Sequence, residues 1–81
     1  MADEGFITFK ESIFEDIKNY PKEWRLGQKV FNYIDMVYGV ARAVQFEDRV
    51  DCFFSNDEKV IDLFIIKAWE KIQEYGILSQ K

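Results

Sequence analysis

The chain has 81 residues, a length that allows one domain and one core. With 48% hydrophobic and 32% charged residues, four Gly and one Pro, its composition excludes a disordered, collagenous or low-complexity protein. Eleven Lys and Arg stand against fifteen Asp and Glu, a net charge of -4, which is the wrong sign for holding nucleic-acid phosphates or an anionic membrane surface.

Eight Phe, four Tyr and two Trp supply enough apolar area for a core without cross-links. The single Cys52 cannot close a disulfide within the chain, and there is no histidine, so a Cys/His zinc set is excluded. The start Met1-Ala2-Asp3-Glu4 is acidic where a signal peptide is basic, and no apolar run reaches the roughly 20 residues of a membrane span. The expectation is a soluble, unprocessed cytoplasmic protein.

In chain order, Thr8 and Glu11 have capping-box spacing, and Phe9, Ile13, Ile17 and Tyr20 then recur at helical intervals, which predicts a first helix over 8–19. Pro21 forces Tyr20 out of the helical region and is well placed to open the next helix, so a tight turn is expected. From 22 to 38 the apolar residues form two adjacent rows, Leu26, Val30, Tyr33, Val37 and Phe31, Ile34, Tyr38, as expected of a central helix. Gly39 breaks it, and the pattern resumes over 40–46 through Val40, Ala41, Val44 and Phe46.

The acidic stretch 45–57 loses helical periodicity and reads as a long loop pinned to the core by Phe53 and Phe54. Ser55 and Glu58 repeat the capping-box spacing, and Ile61, Phe64, Ile65, Ala68, Ile72 and Tyr75 mark a last helix over 56–75. Gly76 and Ile77 suit its C-terminal cap, and residues 1–5 and 78–81 are expected to fray. The fold predicted is all-α, one domain of three or four helices.

Without histidine the usual Ser or Cys nucleophile arrangements lack their base, so an enzyme is not expected and neither is a cofactor. Cys52 beside Asp51 and Phe53 reads as a buried small hydrophobe. Asp48, Asp51, Asp57 and Glu58 leave a carboxylate-based metal-dependent factor or small enzyme as an alternative, but the loop lacks EF-hand spacing, and a solvated loop with helix-cap charges explains them as well. A helix-turn-helix DNA reader is disfavoured by a second helix that is mostly apolar. An acidic nucleic-acid mimic would need dense carboxylates on one surface, whereas here cations are interspersed among the acids.

At about 100° per residue, Arg25, Gln28, Lys29, Asn32, Met36, Gly39 and Ala43 share one polar strip of the second helix. Asn and Gly are poor mid-helix residues, so the strip asks for a local reason. Two remain open. Arg25, Gln28, Lys29 and Asn32, with Phe53 and Phe54, form a binding face for an unknown protein partner; or they clasp the long loop, Arg25 pairing with Asp51 or Asp57 and Gln28 or Asn32 bonding its backbone. Gly39 and Ala43, small and four apart, allow close packing of another backbone and so a weak homodimer in place of a monomer.

The strings Arg25-Leu26-Gly27-Gln28-Lys29-Val30-Phe31-Asn32 and Asp51-Cys52-Phe53-Phe54, followed by Asn56-Asp57 ahead of a helix with Phe64 and Trp69, resemble a family of small uncharacterised proteins of bacteria and their phages. That family's pattern runs Arg-x-Gly-Gln-x-x-Phe-Asn, then Asp-Pro-Phe, then an acidic helix start; here Cys52 takes the proline's place. The likeness covers about 24–69. It implies a small helical domain in which Arg25, Gln28 and Asn32 lie near the 51–54 loop, and a phage or mobile-element origin; it implies no activity.

Overall fold

The structure is a computed structural model and describes residues 4–75. Helix α1 (Glu4–Asp16) buries Phe9 and Ile13 on one stripe, and a 3-10 turn (Ile17–Asn19) continues it to the buried Ile17. The helix starts before the proposed capping box: Thr8 lies inside it and is exposed, as is Glu11. Glu4 occupies the first turn, where negative charge favours the helix dipole, and Glu4 and Gly5 are helical. Residues 1–3 and 76–81, including the Gly76–Ile77 cap and the rest of the expected frayed ends, lie outside the described residues.

Tyr20 ends this element in an extended conformation (φ -81°, ψ 161°), as Pro21 requires, and donates its N–H to the Ile17 carbonyl. Pro21 does not open the next helix. Residues 20–25 form a longer connection, with Trp24 N–H bonded to the Pro21 carbonyl at 3.2 Å, and α2 (Leu26–Val37) begins only at Leu26. Its N-terminus is capped by a segment distant in sequence: Leu26 N–H donates to Asn56 Oδ1 at 3.0 Å and Gly27 N–H to the Ser55 carbonyl at 2.9 Å. The start of α2 is therefore set where the loop reaches it.

The break at Gly39 is present. Gly39 donates to the Ile34 and Asp35 carbonyls and sits at φ 73°, the left-handed conformation that closes a helix end. A Cβ built there meets no atom of this chain within 4 Å, so within the chain it is the backbone turn that calls for glycine. Gly39→Ala is accordingly expected to cost about 1 kcal/mol of stability in a urea melt, and Gly39→Asn less, because the penalty is conformational and not steric.

Helix α3 (Ala41–Glu47) buries Ala41 and Val44. Phe46, two positions on, points about 200° away from Val44 and is 74% exposed, contrary to the apolar pattern read for this segment. Val37, assigned to a core row of α2, is half-exposed as well, at the last position of that helix. Arg49 closes α3 in the left-handed region (φ 58°), a position that usually takes glycine.

Helix α4 (Glu58–Tyr75) is capped by Asp57 and not by Ser55. Asp57 Oδ1 accepts Lys59 N–H at 2.9 Å, while Ser55 Oγ accepts Asp57 N–H, which moves the start from 56 to 58. Ile61, Phe64, Ile65, Ala68 and Ile72 form its buried stripe. α2 and α4 each pack on all three other helices, so the central position read for the second helix is shared between two. Among the described residues no strand is present, and no helix is long and apolar enough to cross a membrane. The chain is a small all-α bundle of four helices.

Candidate interaction face

The loop 48–57 is fastened to α2, but through other atoms than those expected. Cys52 is fully buried, and its thiol donates to the Gly27 carbonyl at 3.3 Å. Burial, reinforced by the nearby Asp51 charge, pushes this thiol up from 9.0 to about 12, so it stays protonated and inert as a nucleophile. A Cβ on Gly27 would lie 1.8 Å from the Cys52 carbonyl oxygen and 2.5 Å from that of Ser55, so two backbones of this chain approach closely here. The clasp thus consists of Leu26 and Gly27 on α2 with Cys52, Ser55 and Asn56 on the loop.

Among the described residues, no ion pair joins Arg25 to Asp51 or Asp57, and no hydrogen bond runs from Gln28 or Asn32 to the loop. Asp51 instead accepts from the Gln45 side chain (3.1 Å) and from Phe53 N–H (2.9 Å). Phe53 is half-buried edge-on against Phe31, with ring centroids 5.4 Å apart, and anchors the loop. Phe54 meets the Phe53 ring edge-on at 4.8 Å and is 74% exposed, so it is not an anchor.

The carboxylates considered for metal chemistry are dispersed: Asp48 faces Lys71, Asp51 is held as described, Asp57 caps α4 and Glu58 lies in its first turn. Among the described residues no three His, Cys, Asp or Glu side chains converge as a ligand set.

Two polar features escape the sequence reading. Lys71 falls on the buried stripe of α4, only 6% exposed, with Nζ 2.7 Å from Glu47 Oε1 and 3.6 Å from Asp48 Oδ2; the Glu47 hydrogen bond raises its pKa despite the opposing effect of burial. Its place three residues after Ala68 was the available signal. Tyr33 donates its hydroxyl to Asp16 Oδ2 at 2.6 Å; burial first and Asp16 second raise the phenol's pKa, and the neighbouring Tyr38 is raised by the same two causes. Both groups tie helices together and neither offers a reactive atom.

What remains outward is the strip of α2, flanked by two apolar depressions. On one side Tyr20, Pro21 and Trp24 of the connection face Asn32 and Met36 across a groove of about 450 Å³; Tyr20 and Trp24 meet edge to face at 5.7 Å, and Met36 is 79% exposed. On the other, Phe46 and Phe54 flank a depression of about 370 Å³ with Arg42, Gln45, Phe31 and Phe53. At about 100° per residue, Asn32 and Met36 lie on the groove side of α2 and Phe31 on the other, with Gln28 and Asp35 between them. Arg25 and Lys29 continue the strip. Of the residues singled out in the sequence, Arg25, Gln28, Lys29 and Asn32 lie along the strip, Asn32 at the groove with Tyr20, Trp24 and Met36, while Phe53 and Phe54 border the second depression with Phe46. No protein-family model, curated protein or solved structure matches the chain.

Proposed function

We propose that this protein is a non-catalytic helical interaction module that holds a partner protein across the outer face of α2 and the Phe46–Phe54 surface. The observation that carries this reading is the pair of phenylalanines, both 74% exposed on the rim of the same depression. Adjacent exposed aromatics lose free energy in water and regain it when covered, which is the energetic pattern of an interface centre. The inert thiol and the dispersed carboxylates support the non-catalytic part, and a single reduced cysteine suits a cytoplasmic setting.

The test uses the tagged full chain, a Phe46→Ser/Phe54→Ser double variant and a Glu11→Lys control on exposed α1, each immobilised and exposed to the native lysate. A protein retained by the parent and the control but lost by the double variant, with melting temperatures alike, is the expected result. If nothing retained depends on Phe46 and Phe54, the reading fails.

A further inference from the structure

We propose that the outer face of α4 is a separate interface, and that its occupant is a second copy of this chain with its own α4 lying antiparallel. Leu63 and Ile66 are 44% and 41% exposed near the middle of this 18-residue helix, one turn apart. Lys59 stands four residues before Leu63 and Glu70 four residues after Ile66, and both are exposed. At about 100° per residue these four fall within about 60° of one another, on the side of α4 opposite its buried stripe. Intervals of four, three and four residues make a continuous seam of the kind along which two helices pack side by side.

The order of charges along the seam selects the occupant. A two-fold interface is self-complementary, because each residue meets a different residue of the same surface. An antiparallel copy whose two-fold axis passes between Leu63 and Ile66 sets Leu63 against the partner's Ile66, and the same register sets Lys59 against the partner's Glu70. Each pair occurs twice, so two apolar layers sit between two ion pairs. A parallel copy would instead set Lys59 against Lys59 and Glu70 against Glu70. Sliding the antiparallel copy by about one turn leaves Lys59 opposite Gln73 and Asp62 opposite Glu70, or, in the other direction, Lys59 opposite Lys67.

The charges are also available. Lys59 has no carboxylate partner among the described residues, and Glu70 meets Lys67 at 3.6 Å through one oxygen, which leaves the other for a second cation. Asp62 and Lys67 flank the seam with counter-ions of their own, Lys10 and Glu70, so their charges do not oppose the approach. A helix of another protein would need this same charge order reversed, and the chain already carries it. The inference does not depend on the reading of the Phe46–Phe54 surface, whose lining includes no residue of α4.

Two apolar layers support a weak dimer, with a Kd on the order of 0.1 mM, so the test is sedimentation equilibrium of the full chain between about 10 μM and 1 mM. A monomer–dimer equilibrium is expected. Leu63→Gln/Ile66→Gln should abolish it, and Phe46→Ser/Phe54→Ser should leave it unchanged. Lys59→Glu alone and Glu70→Lys alone should each weaken it about tenfold by setting like charges opposite one another. An equal mixture of these two variants should restore the parent's affinity, because each supplies the charge that the other lacks. Monomer alone up to about 1 mM overturns the proposal. A dimer indifferent to Leu63 and Ile66 places the interface elsewhere, and one whose charge variants are not restored by mixing is not antiparallel in this register; either result overturns it as well. Circular dichroism melts of each variant confirm that folded protein is being compared.

Discussion

Gly27→Ala is expected to destabilise the protein by about 3 kcal/mol or more, although it adds a single methyl group. The added carbon would stand 1.8 Å from one backbone oxygen and 2.5 Å from another, and no rotamer change relieves a clash with backbone. The loop 52–56 must move away. Three hydrogen bonds depend on its position: Gly27 N–H to Ser55, Leu26 N–H to Asn56 and the Cys52 thiol to Gly27. Their loss uncaps α2 and uncovers a fully buried cysteine. An 81-residue domain has a total stability of only about 4 to 12 kcal/mol, so the variant should be partly unfolded near physiological temperature. Urea denaturation checks this, and a loss under about 1 kcal/mol contradicts the account. A second readout isolates the cause: Asn56→Ala should cost about 1 kcal/mol in the parent and close to nothing in the Gly27→Ala background, because the cap it removes is already gone.

The second expectation concerns pH. Every resolved shift runs upward: Cys52, Tyr33 and Tyr38 through burial first, and Lys71 through its hydrogen bond to Glu47. For all four the folded state holds its proton more tightly than the unfolded chain does. Their stabilisation is complete below the unfolded values and drains as pH rises toward the folded ones. For Cys52 the window opens near 9.0 and closes near about 12, where stability falls by up to about 1.4 kcal/mol per pH unit. The protein should therefore lose stability steeply above about pH 9. Cys52→Ser, whose hydroxyl can still donate to Gly27 but does not titrate, should start lower at pH 7 and decline less steeply between pH 9 and 11. Equal slopes in parent and variant would remove Cys52 from the explanation. The same burial predicts that Cys52 reacts with a thiol reagent only as fast as the loop opens.

The apolar stripes of α1 and α4 and the break at Gly39 were legible because each rests on local physics: a 3.6-residue period, and a glycine where the backbone turns left-handed. The helix starts were misread for an equally physical reason. Thr8–Glu11 and Ser55–Glu58 both have the spacing of a capping box, but a cap is decided by which N–H groups lack partners, and that depends on where the helix begins. Pro21 was compatible with a helix start, yet Asn56 and Ser55 offer their oxygens five residues later, to Leu26 and Gly27. A partner thirty positions away leaves no trace in local spacing.

The candidate site divides in the same way. Helical geometry alone placed Arg25, Gln28, Lys29 and Asn32 on one strip; Arg25 is exposed just before α2, and the other three are half-buried along it. That Phe46 would be exposed and join Phe54 was not readable, since a helix of seven residues gives too few turns to distinguish its buried side from its open one. Lys71 can be buried because α3 delivers Glu47 and Asp48 to its ammonium group, a pairing that local spacing on α4 does not contain.

The sequence by itself determined the all-α class, a bundle of three or four helices, the break at Gly39 and the polar strip of the second helix, because periodicity and backbone preference act between residues a few positions apart. Only the tertiary structure decided which glycine admits a second backbone, which residues cap α2, which lysine is buried and which phenylalanines are left in water. Those outcomes depend on what the remainder of the chain brings to each side chain, and packing between distant segments is not encoded in local spacing.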